Sequence, residues 1–88
     1  MRVIISPRAE KSLRKLPKMD QLAVARKIRL ARDEQVGILD EKLSGFVDIY
    51  RVRVGNYRVV YKKTEQELYI VLIGHRREIY QMVKRLLG

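Results

Sequence analysis

Between Tyr50 and Tyr61 the chain reads Tyr-Arg-Val-Arg-Val-Gly-Asn-Tyr-Arg-Val-Val-Tyr. Apolar and polar residues alternate on both sides of Gly55-Asn56, the pattern of two half-buried strands joined by a tight turn. Taking Gly55 and Asn56 as the two turn residues fixes the ladder. Val54 then faces Tyr57, Arg53 faces Arg58, Val52 faces Val59 and Arg51 faces Val60. Two arginines stand directly opposite each other, with a third two residues along the same face. Like charges opposed across a ladder destabilise it. A sheet that keeps three together is expected to hold an anion, and phosphate suits planar guanidinium groups. The competing reading is a solvated face whose arginines pair with neighbouring acids. Asp48 and Glu67 are the nearby acids, too few to neutralise three arginines and Lys62.

The rest of the chain supplies cover for such a hairpin. Arg2 to Ile5 reads as a short first strand. Ser6 followed by Pro7 is a helix start, a hydroxyl cap and then proline where its missing N–H costs nothing. Ala9, Leu13 and Leu16 follow at helical spacing, and Pro17 ends that element. A second helix is predicted from Lys18 to about Val36, stopped at Gly37. Its stripe of Val24, Ile28 and Ala31 is opposed by Met19, Ala23 and Leu30, so it should be covered on two sides, by the sheet and by the first helix or a partner. After a connection through Lys42-Leu43-Ser44-Gly45, strands are predicted at about Phe46–Val54, Tyr57–Lys63 and Glu67–Ile73. Ile79, Met82, Val83 and Leu86 place a short helix at the C-terminal end. The fold class is therefore α+β: one domain over residues 1–88, βααβββα, with a mostly antiparallel sheet packed on two N-terminal helices.

Strand parity sorts the side chains. Tyr50, Val52, Val54, Tyr57, Val59, Tyr61, Leu68, Ile70 and Leu72 should face the helices. Arg51, Arg53, Arg58, Val60, Lys62, Tyr69, Val71 and His75 should share the other face. That face is basic with apolar patches, which suits a ribose-phosphate chain.

Charge points the same way. The chain has 88 residues, with 20 Lys and Arg against 10 Asp and Glu, a formal net charge of +10. So much positive charge on so small a body predicts a polyanionic partner. The size favours a surface groove over a deep pocket. With no cysteine, disulfides and thiolate metal sites are excluded. No ligand cluster has metal spacing, and no cofactor is expected. The apolar runs are too short to cross a bilayer; a cytoplasmic protein without membrane partners is the expectation.

His75, the single histidine, follows Gly74 at the end of the last predicted strand. It reads equally as a surface residue or as a proton-transfer group on the arginine face. Arg76 and Arg77 lie just beyond. Tyr80, a turn later, could simply pack the tail onto the sheet. Beside several cations its phenol is easier to ionise, so it could instead serve acid–base work or stack on a base.

Three runs, taken together, resemble the RelE branch of the RelE/ParE toxin superfamily over nearly the whole chain. They are Lys42-Leu43-Ser44-Gly45, the Tyr50–Tyr61 hairpin, and Ile73-Gly74-His75-Arg76-Arg77-Glu78-Ile79-Tyr80. The resemblance implies a toxin of a type II toxin–antitoxin system. It would be a ribosome-dependent, metal-independent mRNA endoribonuclease acting in the ribosomal decoding site, with a ribose 2′-hydroxyl attacking the adjacent phosphate. A cognate acidic antitoxin would hold it inactive, and operator DNA would be reached only through that complex. By the same resemblance, the family's basic catalytic residues match Arg51 and Arg53, its third-strand arginine Arg58, its post-strand arginine Arg76 and its C-terminal tyrosine Tyr80. This chain departs from well-studied members, which carry lysine at positions 51 and 53. Arginine essentially never releases its proton. Arg51, Arg53 and Arg58 are therefore expected to hold the phosphate and its developing charge. Arg76 would stabilise the leaving 5′-oxygen, His75 or Tyr80 would accept the 2′-hydroxyl proton, and Lys62 and Arg77 would add RNA contacts. Two alternatives share the fold: a ParE-like poison of DNA gyrase, and a catalytically weak RNA- or ribosome-binding module.

Overall fold

The computed structural model describes residues 1–33, 41–43 and 45–86. The elements run β1 (Arg2–Ile5), α1 (Pro7–Lys15), α2 (Lys18–Asp33), β2 (Glu41–Lys42), β3 (Ile49–Val54), β4 (Tyr57–Lys63), β5 (Glu67–His75) and α3 (Ile79–Leu86). The sheet order is β1-β5-β4-β3-β2. Among the described residues, β1 and β5 alone pair in parallel; the other neighbours are antiparallel. This is the α+β architecture expected from the sequence, with one addition. The two-residue strand β2 ends at Lys42, the first residue of the expected Lys42–Gly45 connection. The predicted end of the second helix, at Val36 and Gly37, lies outside the described residues, as does Ser44.

The hairpin has the register its turn demands: Val54 opposite Tyr57, Arg53 opposite Arg58, Val52 opposite Val59 and Arg51 opposite Val60. Gly55 takes φ +58, whereas Asn56 has no positive φ. Positive φ at the first central position alone is the type II′ pattern, whose twist matches that of the flanking strands.

Ser6 ties the helices to the sheet. Its hydroxyl accepts from the Ala9 N–H at 3.0 Å, which caps α1, and donates to the Val71 carbonyl at 2.8 Å. Its own N–H donates to the Ile70 carbonyl at 3.0 Å. At the other end of α1, the Gln21 amide donates to the Leu16 and Arg14 carbonyls. The Lys63 ammonium donates to the Ala31 carbonyl near the end of α2 at 2.7 Å. These side chains take up main-chain groups that helix ends leave unpaired.

Val71 is the pivot of the sheet. β4 pairs with β5 as Val60–Leu72 and Tyr61–Ile70, leaving Val71 as one extra residue. This is a β-bulge, and beyond it the alternation of faces is reversed. Leu72 was predicted on the helix side; the bulge turns it to the other side, with Val60. Ile73 takes the helix-side place beside Val59. His75 was predicted on the arginine face; it is opposite Tyr57 instead, on the helix side.

Apolar residues cluster on both faces. Ala9, Val24 and Ile28 pack with Val52, Val59, Tyr61, Leu68, Ile70 and Ile73 beneath α1 and α2. On the other face, Ile79 and Val83 of α3 pack on Ile49, Val60 and Leu72. The stripe of α2 that was expected to be covered is open: Met19 is 76% exposed and Leu30 43%. The second cover falls instead on the sheet, where α3 buries Val60 and leaves the hairpin arginines beside it. Among the described residues no helix is long and apolar enough to cross a membrane.

Candidate active site

β3 and β4 present Arg51, Arg53 and Arg58 on the face that α3 partly covers, because these residues alternate with buried Val52 and Val59. The chain after β5 adds a fourth cation. The Arg76 N–H donates to the Asn56 carbonyl at 2.8 Å, docking that segment on the hairpin turn. Arg58 folds toward the same turn, donating to the Gly55 and Tyr57 carbonyls at 3.1 and 2.9 Å.

The four guanidinium groups act on one another. The Arg58 pKa is lowered, first by burial and then by repulsion from Arg53, Arg51 and Arg76. It remains protonated at neutral pH, so positive charge is concentrated here at a cost to the folded state. Among the described residues, the side chains of Arg53 and Arg76 have no carboxylate partner.

Arg51 differs. Its guanidinium is ion-paired with Glu41, directly opposite it on β2. It also lies over the ring of Tyr80, 5.1 Å from the centroid. The Arg51 side chain is 19% exposed, while that of Glu41 is 67% exposed. Glu41 is the member of the site that the sequence did not disclose. Its strand is two polar residues with no apolar alternation, and only the sheet register brings it to Arg51. Of the acids expected nearby, Glu67 pairs with Arg2 at the far edge. Asp48, in a left-handed conformation at φ 60 before β3, has no ion pair among the described residues.

The remaining expected residues are spread out. Tyr80 is half exposed on α3 beside Arg51. Lys62 shares the arginine face, four residues beyond Arg58 on β4, about 13 Å at strand spacing. His75 meets Tyr57 edge-on at 5.9 Å on the opposite face, and its Nδ1 accepts the Arg77 N–H at 3.2 Å. A histidine so placed shapes the turn and does not face a phosphate held by the arginines. The Arg77 side chain is exposed on that turn. Among the described residues no group of His, Cys, Asp or Glu could hold a metal ion.

A family model described as the ParE toxin of type II toxin–antitoxin system, parDE, matches residues 3–80. The chain belongs to the RelE/ParE toxin superfamily. It is a toxin of the type II toxin–antitoxin class, and solved structures give it a RelE-like fold. The isolated RelE toxin of E. coli is 25% identical, with a TM-score of 0.75 over 98% of both chains. The archaeal RelE–RelB complex from Pyrococcus horikoshii is 29% identical, with a TM-score of 0.62 over 85% of this chain and 93% of that one. The toxin–antitoxin complex RelBE2 from Mycobacterium tuberculosis is 25% identical, with a TM-score of 0.69 over 85% and 90%. No curated protein matches the chain by sequence.

Proposed function

We propose that this RelE-like toxin is a ribosome-dependent mRNA endoribonuclease that needs no metal. The observation that carries this is the group Arg51, Arg53, Arg58 and Arg76, gathered at the hairpin by the strand register and the docking of Arg76 on Asn56, where burial and then repulsion from the other three lower the Arg58 pKa. A bent RNA backbone at the moment of cleavage gathers negative charge on one phosphate. Fixed guanidinium groups stabilise that charge with little reorganisation. Arg53 and Arg58 hold the scissile phosphate, and Arg51 joins them with the guanidinium N–H groups that Glu41 does not take. Arg76 steadies the leaving 5′-oxygen. Tyr80 keeps Arg51 in place and offers an exposed ring on which a base can stack. Lys62 and Arg77 draw the flanking strand electrostatically.

The partner is an acidic antitoxin, by analogy with the RelE–RelB complexes of similar fold. A chain of charge +10 with an open apolar stripe on α2 suits a segment that folds as it binds. Operator DNA is reached through the antitoxin.

A second reading has its own support, because the matching family model is that of ParE. On that reading the toxin poisons DNA gyrase. Primer extension on a reporter mRNA, with and without ribosomes, decides between them. Ribosome-dependent cuts support the nuclease; intact mRNA accompanied by broken DNA overturns it in favour of gyrase.

A further inference from the structure

We infer that Glu41 is the general base of this site, the group that takes the proton from the attacking 2′-hydroxyl. This rests on the nuclease reading and adds the residue that it lacks. Arginines supply charge but accept no proton, and the bulge at Val71 puts His75 on the opposite face of the sheet. Among the described residues, two titratable side chains remain in contact with Arg51: Tyr80 and Glu41. A phenol ordinarily holds its proton to about pH 10, whereas a carboxylate is already ionised at neutral pH and can accept one. Glu41 is therefore the acceptor that needs no special activation.

Its ion pair with Arg51 offsets part of the repulsion within the cluster. Charge neutralisation alone, however, would weaken the grip of the guanidinium groups on phosphate. Its geometry fits proton acceptance. The register sets Glu41 directly opposite Arg51 on the arginine face. One oxygen, Oε2, takes the Arg51 guanidinium and so fixes the carboxylate. The other, Oε1, has no hydrogen-bond donor among the described residues, and the side chain is 67% exposed. Arg51 in turn is held over Tyr80. The result is a carboxylate anchored at one oxygen and open at the other, beside the cations that would hold the scissile phosphate.

The step balances without a co-reactant. The 2′-hydroxyl proton passes to Glu41, the 2′-oxygen bonds to phosphorus, and the bond from phosphorus to the 5′-oxygen breaks. The products are a 2′,3′-cyclic phosphate and a 5′-oxygen beside Arg76, which takes a proton from water. Glu41 then returns its proton to solvent.

The test is single-turnover cleavage of mRNA on programmed ribosomes by the full chain, as wild type, Glu41→Gln and Glu41→Asp. A parallel binding measurement uses mRNA with a 2′-deoxy nucleotide at the scissile position. Glu41→Gln keeps size and hydrogen bonding, and at an exposed position it should fold as the wild type does, checked by circular dichroism. Its cleavage should fall by about 10²-fold or more, while binding of the deoxy mRNA stays level or tightens, since one negative charge is gone. Glu41→Asp, which keeps the carboxylate, should retain more activity than Glu41→Gln. Cleavage by Glu41→Gln at or above the wild-type rate overturns the inference and leaves Glu41 as a counter-ion that masks Arg51. Wild-type protein that leaves the mRNA intact on ribosomes overturns the nuclease reading, and this assignment with it.

Discussion

Replacing Ser6 by alanine removes two jobs at once, and their sum can be worked out. The hydroxyl caps α1 by accepting from the Ala9 N–H, and it donates to the Val71 carbonyl at the bulge. Losing an N-cap costs about 1 kcal/mol. Leaving the partly buried Val71 carbonyl unpaired costs about 1 kcal/mol more, the low end of the range because water can reach it. A chain of this length has roughly 4–13 kcal/mol in total, so a loss of about 2 kcal/mol is large. It corresponds to a drop in Tm of roughly 8–16 °C. Urea and thermal unfolding followed by circular dichroism would measure it. Ser6→Asp separates the two jobs. Aspartate is as good a cap, but an ionised carboxylate cannot donate to Val71. Ser6→Asp should therefore recover little of the loss and Ser6→Thr most of it. A Ser6→Ala loss under about 0.5 kcal/mol, or an aspartate variant as stable as wild type, would refute the double role.

Other outcomes follow from the same geometry. Relative to wild type, Arg58→Gln should gain stability as salt is lowered, because it removes a partly buried cation that Arg53, Arg51 and Arg76 repel, offset by the loss of its bonds to the Gly55 and Tyr57 carbonyls. That gain should shrink as salt screens the repulsion, while cleavage falls by about 10²-fold or more; a relative stability that falls as salt is lowered would contradict the repulsion. Gly74→Val should push α3 off the sheet, since even a Cβ there would lie 3.1 Å from the Met82 sulfur and 3.2 Å from Ile79 Cδ1. Cleavage should drop by about fivefold or more as Tyr80 leaves Arg51, with the sheet signal in circular dichroism kept; full activity would mean that α3 does not position the site. His75→Ala should lower Tm by a few degrees, through loss of its exposed bond to the Arg77 N–H, and leave cleavage within about twofold. A loss near 10²-fold would restore His75 as a proton-transfer group. Tyr80→Phe should keep most activity because the ring over Arg51 is retained, whereas Tyr80→Ala should weaken it by about fivefold, the worth of an exposed cation–π contact.

Local chemistry determined much of this protein from the sequence alone. Gly55-Asn56 sets a two-residue turn, and a two-residue turn leaves the ladder one register, so Arg53 opposite Arg58 is legible in the sequence. Ser6-Pro7 marks the start of α1 in the same way, because a cap depends on neighbours within one turn of chain. The grouping of Arg51, Arg53 and Arg58 follows from these short-range rules. Tertiary structure decided what lies across and above that group. The bulge at Val71 carries no sequence signal, since one extra residue in an apolar run leaves the run apolar, yet it reverses the faces of Leu72 and His75. Glu41 reaches Arg51 by strand pairing across ten residues of sequence, and a two-residue polar strand has no periodicity to reveal it. α3 reads as an amphipathic helix from its spacing, but only its docking on Val60 and Leu72 brings Tyr80 to Arg51. Short-range sterics are written residue by residue. The face that a side chain finally occupies depends on pairings summed over the whole sheet, and a single inserted residue changes that sum.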